Sequence, residues 1–388
     1  MNVLIANATL ATRTGTETYV RDLARGLLRR GHTPVVYAPD LGEIAEELRL
    51  ADVLVVDDLR NVATTPDVIH GNHNTELMTA LLHFPCVPAA FFCHSSTDWN
   101  SAPPQHPRIL GYVAVDDACR DRLVLKHAIP EEGVRVLLHG VDAERFKPRA
   151  SLPAKPRRAL VFSNNANGFT HLRDVQKACN SVGIAVEVVG SSSNASNSHP
   201  ELLLGEYDLV FAKARCALES LFVGTAVILC DARGSGPMVA TGELEHLRRL
   251  NFGIRTLTDQ TSVDVLLRQI QRYDAKDACE VSRRIRATAD LSAVIEGAVA
   301  VYQQVIDDYR ASGPFDPVEE SRAAADYLRW LTLTMKSNLA DVEGMLANSA
   351  TLRLRNALVR FSPLDTALRR LGRSVRRQSS TNGGEPLA

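Results

Sequence analysis

The feature that most constrains this chain is an alternation of short apolar runs with helical stripes that stops at a proline-bearing segment and then starts again. Residues 3–6, 34–37, 53–56, 68–70, 89–93, 112–115 and 134–138 are short apolar runs bounded by polar residues, so they read as buried strands. Between the first two, Val20, Leu23, Ala24, Leu27 and Leu28 recur at helical spacing. Glu17 stands early, Arg25, Arg29 and Arg30 late, and Gly31 at the stop, as the helix dipole and capping rules favour. Further helices are predicted over 44–50, 77–82 and 119–127. Residues 149–158, RASLPAKPRR, carry two prolines and no apolar period, which marks a linker. Strands resume at 159–162, 185–189, 209–211 and 226–230, with helices over 172–182 and 214–223, then over 243–250, 263–273 and 278–309. Strands alternating with helices predict a doubly wound parallel sheet, here twice over. The expected organisation is an α/β chain with a Rossmann-like domain at 1–150, a second at 151–312 and a helical, Arg-rich tail at 313–388. Small-molecule sites concentrate in clefts between such halves.

Residues 207–231, YDLVFAKARCALESLFVGTAVILCD, are the richest stretch chemically. They read as strand, helix, strand, with Gly224 where the helix should stop, and ligands of parallel sheets bind beyond the carboxyl ends of the strands. Lys213 and Arg215 fall at the first helical turn, where unpaired N–H groups and the positive dipole end favour an anion. Glu219, one turn on, can face the same crevice and accept hydrogen bonds from sugar hydroxyls. The same charges also suit a solvated surface helix, and the stretch alone leaves both readings open. Residues 191–198 form a Ser/Asn-rich loop without a periodic pattern.

Composition narrows the classes. The 388 residues carry a formal net charge of −1, so there is no global basic field for nucleic acid. The seven cysteines are scattered, without C-x-x-C spacing, which argues against a disulfide framework or a zinc site and for a reducing cytoplasm. No run approaches the length a spanning helix needs, and the N-terminus lacks a signal-peptide pattern, so the expectation is a soluble or at most peripheral protein. His70 and His73 have no accompanying carboxylate or thiol ligand, and His70 reads as a strand-end residue rather than a metal ligand. Neither half carries G-x-G-x-x-G between its first strand and helix, which disfavours a dinucleotide oxidoreductase.

Several motifs fall together: TGTETYVRDLARGLLRRGHTPVVYAP (14–39), DVIHGN (67–72), FFCHSS (91–96) and GYVAVDDACRDRLVLKHAIPEEGVRVLLHGVDAERFKP (111–148). As a set they resemble the landmarks of retaining nucleotide-sugar glycosyltransferases of the GT-B fold, family 4 in particular, over nearly all of the first half and chiefly 207–237 of the second. That resemblance implies two facing Rossmann-like domains and a metal-independent hexosyltransferase-like enzyme without a cofactor. It places Gly15 in a loop whose backbone approaches the donor phosphates, His94 beside the transferred sugar and Glu219 on the nucleotide ribose. The family pattern has an earlier glutamate whose position is Phe211 here. It also has a basic pair after the first strand of the donor domain, where this chain reads FSNNANGFTHLRD with only His171 and Arg173 as candidates. Lys213 and Arg215 are the nearest cations able to stabilise a leaving phosphate, and backbone N–H groups of the loop Gly234, Ser235, Gly236 and Pro237 are a second source. His139 stands where the family usually has asparagine, near the domain hinge.

The tail carries its own signals. Leu328, Leu331, Met335, Leu339, Val342 and Leu346 step by three or four, a seam for the body or for a partner helix, which points to a homo-oligomer through 328–346. Between 352 and 377 eight arginines face one acid, Asp365, with interleaved apolar residues, a pattern that suits an anionic membrane surface and equally a solvated tail. Residues 378–388 read as disordered. The expectation is a cytoplasmic glycosyltransferase, peripheral at the inner face of the membrane, moving a sugar from a nucleotide-sugar to a surface-glycan or lipid-linked acceptor. An inactive GT-B module kept for assembly and a nucleotide-sugar hydrolase or epimerase are the alternatives.

Overall fold

The structure, a computed structural model, describes residues 1–167, 169–190 and 199–348. It divides into two compact units, Met1–Ala323 and Ala324–Ala388. The first unit holds two large sheets, one parallel throughout and one parallel but for an edge strand, and a two-stranded parallel ladder of Thr9–Leu10 with Asp40–Leu41. In the first, β1 (Asn2–Ala6) leads through α1 (Gly15–Arg29) to β2 (Thr33–Tyr37), then α2 (Glu43–Arg49), β3 (Leu54–Val56) and β4 (Val68–Gly71). α3 (Asn74–His83), β5 (Ala89–Cys93), β6 (Ile109–Ala114) and β7 (Val134–Val136) complete it. The strand order is β3-β2-β1-β4-β5-β6-β7, all parallel, so the order reverses between β1 and β4. Loops leaving the carboxyl ends of those two strands frame a crevice, the place where open α/β sheets bind ligands.

The second sheet uses β8 (Arg158–Phe162), α4 (Leu172–Ser181), β9 (Ala185–Val189), β10 (Leu209–Ala212), α5 (Ala214–Val223) and β11 (Ala226–Asp231). A last strand, β12 (Gly234–Met238), runs antiparallel beside β11, and the order is β9-β8-β10-β11-β12. Its switch point lies between β8 and β10. α5 ends as the sequence predicts, with Gly224 in the left-handed region at φ 103°, a conformation that costs glycine little.

Three elements depart from the sequence reading. The helix expected over 119–127 is Asp117–Asp121 followed by a π-helical turn, Arg122–Lys126. The loop expected at Gly234, Ser235, Gly236 and Pro237 is β12, and Ser235 exchanges backbone hydrogen bonds with Asp259 at 2.9 Å in both directions. A Cβ at Gly236 would collide with the Thr256 carbonyl, so the small residues admit the 256–259 segment rather than a ligand. The stretch expected as one helix over 278–309 is two, α6 (Ala275–Thr288) and α7 (Leu291–Ser312), divided where Val141 pairs with Asp290 in a short bridge.

That division has a packing reason. Leu291, Ile295, Ala298, Val301, Tyr302, Val305 and Ile306 of α7 join the core of the first sheet with Val20, Leu23 and Leu27 of α1. Gly26 lets the two helices meet, since any Cβ there would overlap Ile295. α6 instead shares the second core with Val210, Leu218 and Leu221. The last helix, α8 (Pro317–Asn348), begins in the first unit, where Glu320 pairs at 3.0 Å with the buried guanidinium of Arg108. In the second unit the predicted seam is helical, with Leu328, Met335, Leu339 and Val342 exposed. No helix among the described residues is long and apolar enough to cross a membrane. The readings for 191–198, 352–377 and 378–388 fall outside the described residues.

Candidate active-site cleft

Both switch points open on one cleft of about 490 Å3. From the first sheet it is lined by Thr12, Arg13, Thr14, Gly15, Thr18, Arg21 and Glu43, in the loop after β1, in α1 and in α2. Phe162, Asn164, Val189, Gly190, Arg215, Cys216 and Glu219 line it from the second sheet and α5, with Arg145 and Pro200 from connecting segments. Of the residues singled out from sequence, Gly15, Arg215 and Glu219 meet here. Gly15 starts α1 with nothing within 4 Å of where a Cβ would stand. Thr14 is the N-cap and its hydroxyl donates to Glu17, which is buried at the helix entry.

Arg215 is committed to carboxylates. It donates to Glu219 on its own helix at 2.7 Å and to Asp22 of α1 across the cleft. Burial opposes its charge, but Asp22 and Glu219 more than offset this and hold the guanidinium protonated. Burial likewise pushes the Asp22 carboxyl up, and Arg215 and Arg21 pull it back below the ordinary value. The network continues through α1: Arg21 pairs with Asp22 at 2.7 Å and with Glu47 at 3.4 Å, and Arg13 with Glu43 at 2.6 Å and with Glu47. Arg145 pairs with Glu201 at 2.7 Å. The cleft is therefore cationic by residue count along its rim but internally neutralised.

Lys213 lies outside that lining. It caps α5 and its ammonium meets Asp231 at the end of β11 at 2.9 Å, where Ser163 also donates at 3.1 Å. Burial pushes the Asp231 carboxyl up and Lys213 pulls it below its usual range. His171, next to this cluster, is buried with both ring nitrogens unpartnered. Gly234, Ser235 and Gly236 do not line the cleft; they are strand positions with the Ser235 N–H already donated. Phe211, where the family pattern has a glutamate, is wholly buried in the apolar core of the second sheet.

His94 follows β5 and packs against Tyr19 of α1, ring centroids 4.6 Å apart, and against His139 at 5.6 Å. Its Nε2 lies 2.8 Å from Asn72 Oδ1, which is also 2.9 Å from His70 Nε2, and His70 Nδ1 is 2.7 Å from the Tyr302 hydroxyl of α7. Burial drives His70 and His139 down to about 3 and His94 well below its usual value, so all three are neutral at pH 7. Arg13, Arg21, Asp22, Arg145, Tyr19 and Asn72 were not singled out from sequence. Their charged or polar types sit on ordinary helix and loop positions, and only the fold brings them together.

Two facing Rossmann-like domains with a cleft between their switch points define the GT-B fold. Residues 13–145 match the sequence pattern of Glycosyltransferase Family 4, so the resemblance carried by the motifs of the first half holds there. No match to a curated protein was found. Among solved structures, a glycosyltransferase from Rickettsia africae ESF-5 is similar at TM-score 0.57 and 14% identity, covering 79% of this chain and 98% of that one. Anabaena Alr3699/HepE in complex with UDP and glucose is similar at TM-score 0.55 and 13% identity, over 78% of this chain and 99% of that one. Sucrose-phosphate synthase (tll1590) from Thermosynechococcus elongatus is similar at TM-score 0.54 and 14% identity, over 79% and 99%. At these identities the likeness carries the fold, and with the family match it supports a glycosyltransferase of the GT-B type.

Proposed function

We propose that this chain is a retaining, metal-independent glycosyltransferase that moves a hexosyl group from a nucleotide-sugar to a hydroxyl of a surface-glycan or lipid-linked acceptor. One observation carries the reading: the cleft is built jointly by the family-matched first half, through Gly15 and α1, and by Arg215 and Glu219 of the second. The diphosphate lies against the N-terminus of α1 at Gly15 and against Arg215, where dipole and guanidinium stabilise the charge that develops on the leaving phosphate. Glu219 accepts from the ribose hydroxyls, and His94 stands by the sugar. Arg215 exchanges Asp22 for phosphate as the donor binds. Alr3699/HepE, similar in fold, holds UDP and UDP-glucose, which makes uridine the first base to try.

Acceptor chemistry is assigned from the tail. The eight arginines of 352–377 attract an anionic bilayer by roughly 1 kcal/mol each, which would hold the enzyme where lipid-linked acceptors lie, and the 328–346 seam pairs two copies. The test is incubation of the full chain with nucleotide-sugars, with and without a lipid-linked oligosaccharide acceptor, and mass analysis of the products. Transfer only when acceptor is present supports the assignment. Donor cleavage without acceptor at the same rate identifies a hydrolase, and an inert chain in all donors identifies an assembly module.

A further inference from the structure

We propose that the turn Arg248–Arg255 is a positioning device, which holds the start of α5, and with it Arg215, in a strained conformation only while its ion pairs to the helix Asp117–Asp121 are made. The role given to Arg215 rests on the glycosyltransferase reading; the coupling between the turn and α5 does not.

Its first support is strain. Ala214, the first residue of α5, has φ 49°, and Asn251 and Phe252 both have φ 51°. These are three of the six non-glycine residues with positive φ among the described residues, and one hydrogen bond joins the two places: the Ala214 N–H donates to the Phe252 carbonyl at 2.7 Å. Asparagine tolerates the left-handed region through its short polar side chain, whereas alanine and phenylalanine are disfavoured there. Such conformations persist only where the surroundings over-determine them, and they gather at switch points. Arg215 is the next residue and lines the cleft, so whatever fixes Ala214 fixes the point from which the Arg215 side chain leaves the backbone.

Its second support is what surrounds the strained residues. Phe252 is wholly buried in the core of the second sheet, which fixes the turn from one side. From the other side the turn reaches residues of the first half. Arg248 is buried and donates to the His139 carbonyl and to Asn251 Oδ1, the latter at 3.3 Å. Arg249 forks onto Asp117, Nε at 2.8 Å and Nη2 at 3.1 Å, and Arg255 pairs with Asp121. Arg249 and Arg255 are exposed. Pairs of that kind are weak singly and screened by salt, so they let go while the core stays folded. Once they let go, the strain at Ala214 and Phe252 is opposed from one side only. The bond between them opens and the first turn of α5 no longer aims Arg215.

Hydrogen exchange of the Ala214 amide in the full chain reads the coupling directly. Asp117→Asn combined with Asp121→Asn should speed it roughly tenfold or more, as should about 1 M salt, while the Val210 amide in β10 and the urea midpoint stay as they were. Asp117→Arg alone should also speed it, and adding Arg249→Asp should restore the wild-type rate. Ala214→Gly, which fits the left-handed conformation, should keep the bond without the aspartates, so that exchange at residue 214 no longer responds to them. With a nucleotide-sugar, the double asparagine variant should lose roughly tenfold in kcat, and that loss should vanish in an Arg215→Ala background. An Ala214 amide indifferent to both the aspartates and salt overturns the coupling. A kcat loss as large without Arg215 as with it overturns the positioning role. If exchange responds as stated but no nucleoside diphosphate binds, the coupling stands and the transferase reading falls.

Discussion

Arg215 on α5 and Asp22 on α1, 193 residues apart in sequence, form an ion pair that joins the helices of the two sheets across the cleft. The pair has two consequences. It ties α1 to α5, and it gives Arg215 an anionic partner that, on the proposed function, the donor phosphate replaces.

Replacing Arg215 and Asp22 separates those consequences. Arg215→Ala should lower turnover roughly 10- to 1,000-fold, the range for loss of one electrostatic group at a reacting centre. Asp22→Asn removes the competing carboxylate while Arg21 and Glu47 remain paired, so the KM for donor should fall. In the Arg215→Ala background the second change should do nothing to KM, a non-additivity that a double-mutant cycle reads directly. If Asp22→Asn instead raises KM for donor, the pair is a strut and not a competitor.

Gly15 supplies a cleaner probe, because the protein itself does not need a glycine there. A Cβ would meet nothing within 4 Å, and alanine in the first turn of a helix is worth roughly 0.5–1 kcal/mol over glycine. Gly15→Ala should therefore leave the thermal midpoint unchanged or slightly higher while raising KM for donor at least tenfold, since on the proposed function the donor phosphate approaches this backbone. Donor kinetics identical to wild type would show that no ligand comes close to this backbone.

How much of this was legible in sequence differs by length scale. Strands and helices of both sheets were, because apolar runs and a 3.6-residue stripe report which faces are buried, and Gly224 ends α5 for a local reason. The destination of α7 was not. Its stripe announces a buried face without saying which sheet covers it, and the answer depends on Gly26 meeting Ile295 far away in sequence. Gly234, Ser235 and Gly236 misled for the opposite reason: a composition typical of turns here serves an edge strand that needs small residues beside 256–259. Within the cleft, Gly15, Arg215 and Glu219 were legible as helix-start and helix-face residues, whereas Lys213 is taken by Asp231. Asp22 and Tyr19 look like ordinary members of an amphipathic helix until the second sheet is placed opposite them.

Acid should weaken the fold early. Burial pushes His70 down to about 3 and His73 and His106 down to about 4, against an unfolded value near 6.5. Below pH 6.5 the unfolded chain binds protons that the folded chain refuses, so these groups remove stability as pH falls from 6.5 toward 4 and contribute no slope above 7. Each removes up to about 1.4 kcal/mol per pH unit in that window. Urea unfolding at pH 7.5, 6 and 5 should show a monotonic loss, and a stability constant over that range would contradict the burial of these imidazoles.

The central claim is that the cleft between the two sheets takes a nucleoside diphosphate. Calorimetric titration of the full chain with UDP, GDP, TDP, CDP and CMP tests it most directly. At least one diphosphate should bind saturably, CMP more weakly, and Arg215→Ala should weaken the best ligand at least tenfold. A wild-type chain that binds none of the five would contradict the account.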